Sequence, residues 1–140
     1  MKSKKIIKDN IEKRDFASGG EVSSKLKSKL RKLGINNKDI RRCSIITYEL
    51  EMNLIIHSEG GILKASVSSE VITIESKDKG PGIADIEKAL KPGYSTATDE
   101  IREMGFGAGM GLNNVKKFSD DLEVDSKVDE YTKVKAIVKL

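Results

Sequence analysis

Apolar and polar positions follow two different periods along this chain, and each period predicts its own elements. Val22, Leu26, Leu30 and Leu33 recur every three or four residues within 15–33, the spacing of a one-faced helix, and Gly34 supplies its stop. Residues 36–58 are more apolar, open on Asn36 or Asn37 as a cap and close before Gly60-Gly61; this is the expected central helix. Strict alternation then takes over. Leu63, Ala65 and Val67 alternate with Lys64, Ser66 and Ser68, and Ile72 and Ile74 with Val71, Thr73 and Glu75, which predicts two strands joined around Ser68-Ser69-Glu70. Two further alternating runs, Leu122/Val124/Ser126/Val128 and Val134/Ala136/Val138/Leu140, predict the last two strands. Ile6, Ile7 and Ile11 predict an edge strand inside a basic N-terminal segment, residues 1–14. Short helices are expected over 85–90 and 113–118, and the polar, turn-rich stretch 91–104 reads as a functional lid. The order β-α-α-β-β-loop-α-β-β predicts an α+β fold: a two-layer sandwich in which a mixed, mostly antiparallel sheet is covered on one face by helices.

Composition narrows the function classes. At 140 residues the chain reads as a single domain, 1–140, able to bury a core without staples. Its net charge of +4 is modest, and the remaining Lys and Arg are interspersed with 22 acids. With only three Tyr and three Phe there is no stacking set, so nucleic-acid binding is not expected. One Cys, Cys43, and one His, His57, exclude a disulfide framework and a zinc site of the usual ligand count. No apolar run approaches the roughly 20 residues of a membrane span, and the basic start lacks a signal peptide's apolar core. The expectation is a cytoplasmic protein with no membrane partner.

The candidate chemistry lies in three places. In Gly105-Phe106-Gly107-Ala108-Gly109-Met110-Gly111-Leu112, four alternating glycines precede a short helix, an arrangement that leaves backbone N–H groups for an anion, above all phosphate. On the central helix, Glu49, Asn53 and His57 are spaced by four and share one face, opposite the arc of Ile40, Cys43, Leu50 and Leu54. A buried capping network is the plain reading of that stripe; beside a phosphate loop, an amide oxygen for Mg²⁺ and a carboxylate one turn away is the better one. Glu51 falls roughly 160° from Glu49, beside Ser44 and Tyr48, and reads as a solvated acid. Asp78 is in phase with Ile72 and Ile74, so its carboxylate faces inward, either to hold the turn at Gly80-Pro81-Gly82 or to accept a hydrogen bond from a buried exocyclic amine such as adenine presents. Thr132 is in phase with Val134, Ala136 and Val138 and needs a partner for its hydroxyl.

Glu49-Leu50-Glu51-Met52-Asn53, Asp78-Lys79-Gly80-Pro81-Gly82-Ile83 and the run Gly105 to Leu112 resemble, in order and spacing, the three nucleotide boxes of the GHKL ATPases, the Bergerat fold. Within that superfamily the chain is most similar to the anti-sigma-factor serine/threonine kinases, and closest to their stress-signalling switch-kinase branch; Tyr94-Ser95-Thr96-Ala97 and Arg102 to Leu112 look like that branch's lid and second glycine box. The resemblance implies ATP and Mg²⁺ held between the central helix and the lid. Glu49 would be the general base and Asn53 the Mg²⁺ ligand. Asp78 would read the adenine amine with Thr132, and Gly80, Gly82 and Ile83 would pass close to the base. Gly105, Gly107, Gly109, Met110, Gly111 and Leu112 would hold the phosphates, with Ser95 and Thr96 touching them from the lid. His57 would sit on the nucleotide side of the helix, and Arg102 is a candidate neutraliser of the γ-phosphate. The chain departs from the family where a Gly-x-Gly-Thr turn often precedes the last strand: here it reads Val128-Asp129-Glu130-Tyr131-Thr132.

The function so implied is an ATP-dependent serine/threonine kinase that phosphorylates a small STAS-type antagonist, with a sigma factor or a phosphatase as further partners and a homodimer through the N-terminal strand and first helix. The alternative is an ATP-gated module that sequesters a signalling partner with transfer slow or absent. A histidine kinase fragment is disfavoured, because the only histidine lies in the Glu49/Asn53 helix.

Overall fold

The computed structural model describes residues 3–80 and 111–140. Five strands, β1 (Lys4–Ile11), β2 (Gly61–Val67), β3 (Val71–Asp78), β4 (Asp121–Lys127) and β5 (Tyr131–Lys139), form one sheet in the order β1-β2-β3-β5-β4. Every pairing among them is antiparallel, so the mixed character expected of the sheet has no parallel pair behind it among the described strands. Three helices, α1 (Glu21–Lys32), α2 (Asn37–Ile56) and α3 (Gly111–Phe118), cover one face: α1 over β1, α2 across the middle, α3 over β4 and β5.

The alternation decides which face. Leu63, Ala65, Ile72, Ile74, Val134, Ala136 and Val138 are all buried under the helices, while Lys64, Glu75 and Lys135, in register across three strands, form part of the open face. Leu26 and Leu30 of α1, Ile46 and Leu50 of α2 and Val115 of α3 complete the core from above. β1 takes the expected edge, and its three isoleucines do not alternate because Ile6 is an extra residue between the pairs Lys5/Ser66 and Ile7/Ala65; the bulge lets Ile7 point inward. The β2–β3 turn falls where predicted: Ser68 N–H donates to the Val71 carbonyl at 2.9 Å, and the Ser68 hydroxyl accepts from the Glu70 and Val71 amides.

The helix ends explain two departures from the pattern. The first helix does not begin near Asp15: a single 3₁₀ turn at Phe16–Ser18 comes first, and Gly19-Gly20 separates it from α1. At the other end Leu33, the last position of the apolar stripe, is 52% exposed. The Gly34 N–H donates to Arg31 and the Ile35 N–H to Leu30, the paired bonds of a Schellman stop, with Gly34 at φ +78°. That turn swings Leu33 outward and brings Ile35 against the core in its place. The central helix starts as expected: Asn36 Oδ1 accepts from the Asp39 amide at 2.9 Å, while Asn36 Nδ2 donates to the Asp39 carboxylate at 2.7 Å. No helix among the described residues is long and apolar enough to cross a membrane.

Candidate functional site

The site is built on α2, a helix buried on most of its circumference because it lies between sheet, α1 and α3. Ile40, Cys43, Leu50 and Leu54 face the core as the periodicity requires, and burial pushes the Cys43 thiol up to about 12, so it is inert. Glu49 and Asn53, one turn apart, are half-buried. Burial raises the Glu49 carboxyl above its ordinary range, opposed by one hydrogen bond, from Asn114 Nδ2 to Oε1 at 3.3 Å. The Asn53 side-chain amide meets no hydrogen-bonding partner among the described residues. His57 closes α2 as its C-cap residue; burial and the neighbouring Arg14 cation both lower its pKa, so the ring is neutral at pH 7.

Glu51 is not the solvated acid that its position two residues along suggested. It is 1% exposed, and its Oε2 and Oε1 accept from the amides of Val22 and Ser23 at 3.3 and 3.4 Å. These are first-turn N–H groups of α1, whose cap residue is Gly20 and offers no side chain, so Glu51 caps the neighbouring helix. The correction is physical: a helical wheel gives the angle between Glu49 and Glu51 but not which element packs on each side, and α1 lies on the Glu51 side.

The second part of the site is at the end of β3. Asp78 continues the inward face of Ile72, Ile74 and Ser76, and its Oδ1 accepts from the Gly80 amide at 2.9 Å and from the Thr132 amide at 2.7 Å. Burial raises its carboxyl, the two amides opposing. Oδ2 takes no hydrogen bond among the described residues, so the turn is held by one oxygen of the carboxylate alone. Gly80 is at φ +113°, a conformation that side chains resist, with the 129–130 backbone beside it. The turn lacking the family's glycines is made instead by Asp129 at φ +65°, with the Glu130 N–H donating to Lys127. Thr132, 8% exposed, keeps its inward phase, and its hydroxyl lies 2.9 Å from that of Ser126.

The third part is α3. Gly111 is already its first residue, so the end of the glycine run feeds straight into a helix, with Leu112 part-buried against the core. Gly82, Ile83, Ser95, Thr96, Arg102, Gly105, Gly107, Gly109 and Met110, with the helix at 85–90 and the lid, lie outside the described residues. Among the sequence candidates, then, Asp78, Gly80 and Thr132 come together through hydrogen bonds and backbone contact, and Glu49 and Asn53 share the helix that meets α3, which His57 closes within the electrostatic reach of Arg14. Asn114 went unnoticed in the sequence, where an Asn near a helix start is ordinary and carries no signal of its contact with Glu49. So did Arg42, whose Nε donates to the Phe118 carbonyl at 3.0 Å and whose Nη atoms pair with Asp39 and Asp120.

Comparison with known proteins gives this geometry a family. A model described as histidine kinase-, DNA gyrase B-, and HSP90-like ATPase matches residues 38–140. The anti-sigma F factor of Thermoanaerobacter sp. (strain X514) is 38% identical over 96 residues, 69% of this chain but 59% of that protein, so the match spans less than two thirds of that relative. The serine/threonine-protein kinase RsbT of Bacillus subtilis (strain 168) is 30% identical over 111 residues, 76% of this chain and 77% of the kinase. A solved structure described as the SiaB-SiaC complex from Pseudomonas aeruginosa superposes with a TM-score of 0.65, over 96% of this chain and 89% of that one, at 14% identity, a likeness of fold alone. With well over half of the chain inside the family match and its boxes on the central helix, the β3 end and the start of α3, the protein belongs to the histidine kinase-, DNA gyrase B-, and HSP90-like (GHKL) ATPases.

Proposed function

We propose that this protein is an ATP-dependent serine/threonine kinase of the partner-switching kind, a single domain that phosphorylates a small STAS-type antagonist in the cytoplasm and so switches a sigma-factor or stress-signalling pathway. The observation that carries this reading is the state of Glu49: a half-buried carboxylate with a raised pKa, one oxygen engaged by Asn114, on the helix facing the one that the glycine run enters. A carboxylate held partly out of water, with its proton affinity raised and one oxygen steadied, is suited to the role of general base. RsbT, a relative over three quarters of its length, is named a serine/threonine-protein kinase, which supports the reading.

The roles follow from chemistry. In the transfer, the oxygen of a partner serine forms a bond to the γ-phosphorus of ATP as the bond from that phosphorus to the β–γ bridging oxygen breaks. The serine proton passes to Glu49, and ADP leaves. Asn53 offers a hard amide oxygen with no partner among the described residues, a donor that fits Mg²⁺, and magnesium when bound would offset charge on the phosphate oxygens. Asp78 accepts from the adenine amine through Oδ2 while Oδ1 keeps the turn, and Thr132 and Gly80 shape that end. His57 serves the nucleotide side of α2, and Gly82, Ile83, Ser95, Thr96 and the residues from Gly105 to Leu112 complete the ATP site.

The experiment is incorporation of label from γ-labelled ATP into proteins of a cell extract from the source organism, comparing wild type with Glu49→Ala after both are checked for ATP binding. One labelled band that disappears with Glu49→Ala is the expected result, and its mass identifies the substrate. Intact binding with no band would favour the second reading, an ATP-gated module that sequesters a partner, which the name of the anti-sigma F factor relatives supports.

A further inference from the structure

Helix α3 is fastened to α2 at both ends, and the two fastenings differ in kind. At its C-terminal end Arg42 donates from Nε to the Phe118 carbonyl at 3.0 Å and pairs through Nη2 with Asp120 at 2.9 Å; Asp120 Oδ2 also accepts from the Lys139 amide at 2.6 Å. Nη1 reaches Asp39 on α2 itself at 3.3 Å. That end is a multivalent clamp tying α2, α3 and β5 together. In the first turn the bond present among the described residues is Asn114 Nδ2 to Glu49 Oε1 at 3.3 Å. With Val115 wholly buried and the Arg42 clamp in place, α3 has its attachment without Asn114.

We propose that Asn114 is a positioning residue for phosphoryl transfer: it holds Glu49 by Oε1 so that Oε2 faces the hydroxyl that gives up its proton. The proposal rests on the reading of Glu49 as the base. A glutamate has three side-chain torsions, and a half-buried one left unheld gains solvation by turning toward water. A side-chain amide suits the task because its NH₂ only donates and never ionises, so it orients the carboxylate without competing for the proton. Because Asn114 stands one turn into the helix entered by the glycine run, the same helix sets the base and the end of the phosphate loop at a fixed separation.

The test uses the full chain with Asn114→Leu, close in size but without donors, and Asn114→Gln, which restores an amide on a longer arm. In the nucleotide-free protein, the Asn114 side-chain amide resonances are expected to shift when Glu49→Ala is introduced, beyond any shift in the other asparagine amides. At saturating ATP, Asn114→Leu is expected to slow label transfer to the partner band about 10- to 100-fold with ATP Kd unchanged within about twofold, and Asn114→Gln to recover part of the rate. Transfer undiminished in Asn114→Leu overturns the proposal alone, as does an unshifted amide. A parallel loss of rate and ATP affinity overturns it too, because Asn114 would then belong to the nucleotide pocket or the fold. No transfer by the wild type removes the base itself, and the proposal with it.

Discussion

Glu49 and Glu51 stand two residues apart on one helix, burial raises the pKa of both, and they meet different neighbours. Glu51 faces α1, is 1% exposed, and gives both oxygens to backbone amides of that helix. Glu49 faces α3, gives one oxygen to a side chain and has no bond to the other among the described residues. A carboxylate with both oxygens bonded to backbone amides is structure; one with an oxygen uncommitted among the described residues, in partly desolvated surroundings, is open to chemistry. What separates them is the neighbour that tertiary packing brings to each side.

The comparison breaks most visibly by truncation. Glu49→Ala is expected to lower the transfer rate by about 10²- to 10⁴-fold, the scale of a lost general base, while the thermal midpoint stays within a few degrees. If stability fell as far as activity, Glu49 would be a second Glu51. Glu51→Ala is expected to reverse the pattern, costing about 2–4 kcal/mol in a denaturant titration by stranding two first-turn amides and a buried space, with ATP affinity in the surviving folded fraction nearly unchanged. Glu51→Gln keeps an acceptor oxygen without the charge and sharpens the point. Glu51 has a folded-state pKa above the ordinary 4.5, so its contribution to stability is fully present below pH 4.5 and is lost as pH rises through the raised value. The Gln variant is therefore expected to gain on the wild type across that rise, and parallel stability curves for the two would remove the burial argument.

Smaller effects test the site's other assignments. Asn53→Ala is expected to cost about tenfold in ATP affinity when Mg²⁺ is present, roughly 1.4 kcal/mol, and little when it is chelated. Equal affinities with and without the metal in both proteins would refute Asn53 as its ligand. At the bottom of the scale, Leu33→Lys is expected to change stability by less than about 0.5 kcal/mol, because Ile35 rather than Leu33 meets the core.

Much of the fold was legible because it depends on period. Alternation in Leu63/Ala65 and Ile72/Ile74 announced two half-buried strands, and the same count carried Asp78 and Thr132 onto the inner face, where the structure joins them by a 2.7 Å bond. That Glu49 and Asn53 would lie one turn apart on a helix was legible for the same reason, since a four-residue spacing survives whatever packs nearby. Glu51, Leu33, Asn114 and Arg42 were not. Each depends on a contact between segments far apart in sequence or on how a turn redirects the chain: Glu51 with 22–23, Leu33 with the Gly34 stop, Asn114 with Glu49, Arg42 with 118–120.

The amino-acid sequence by itself determined the strand and helix periods, the caps at Asn36 and Gly34, the polar residues carried on apolar faces and the family's three boxes. All of these are local, set by the 3.6- and two-residue repeats and by side chains bonding to backbone a few positions away. Only the tertiary structure decided which acid of α2 is spent on α1, which oxygen of Asp78 holds the turn, and what holds Glu49. A carboxylate's role depends on how many of its hydrogen bonds the surrounding protein satisfies, and those partners arrive from other elements when the chain folds.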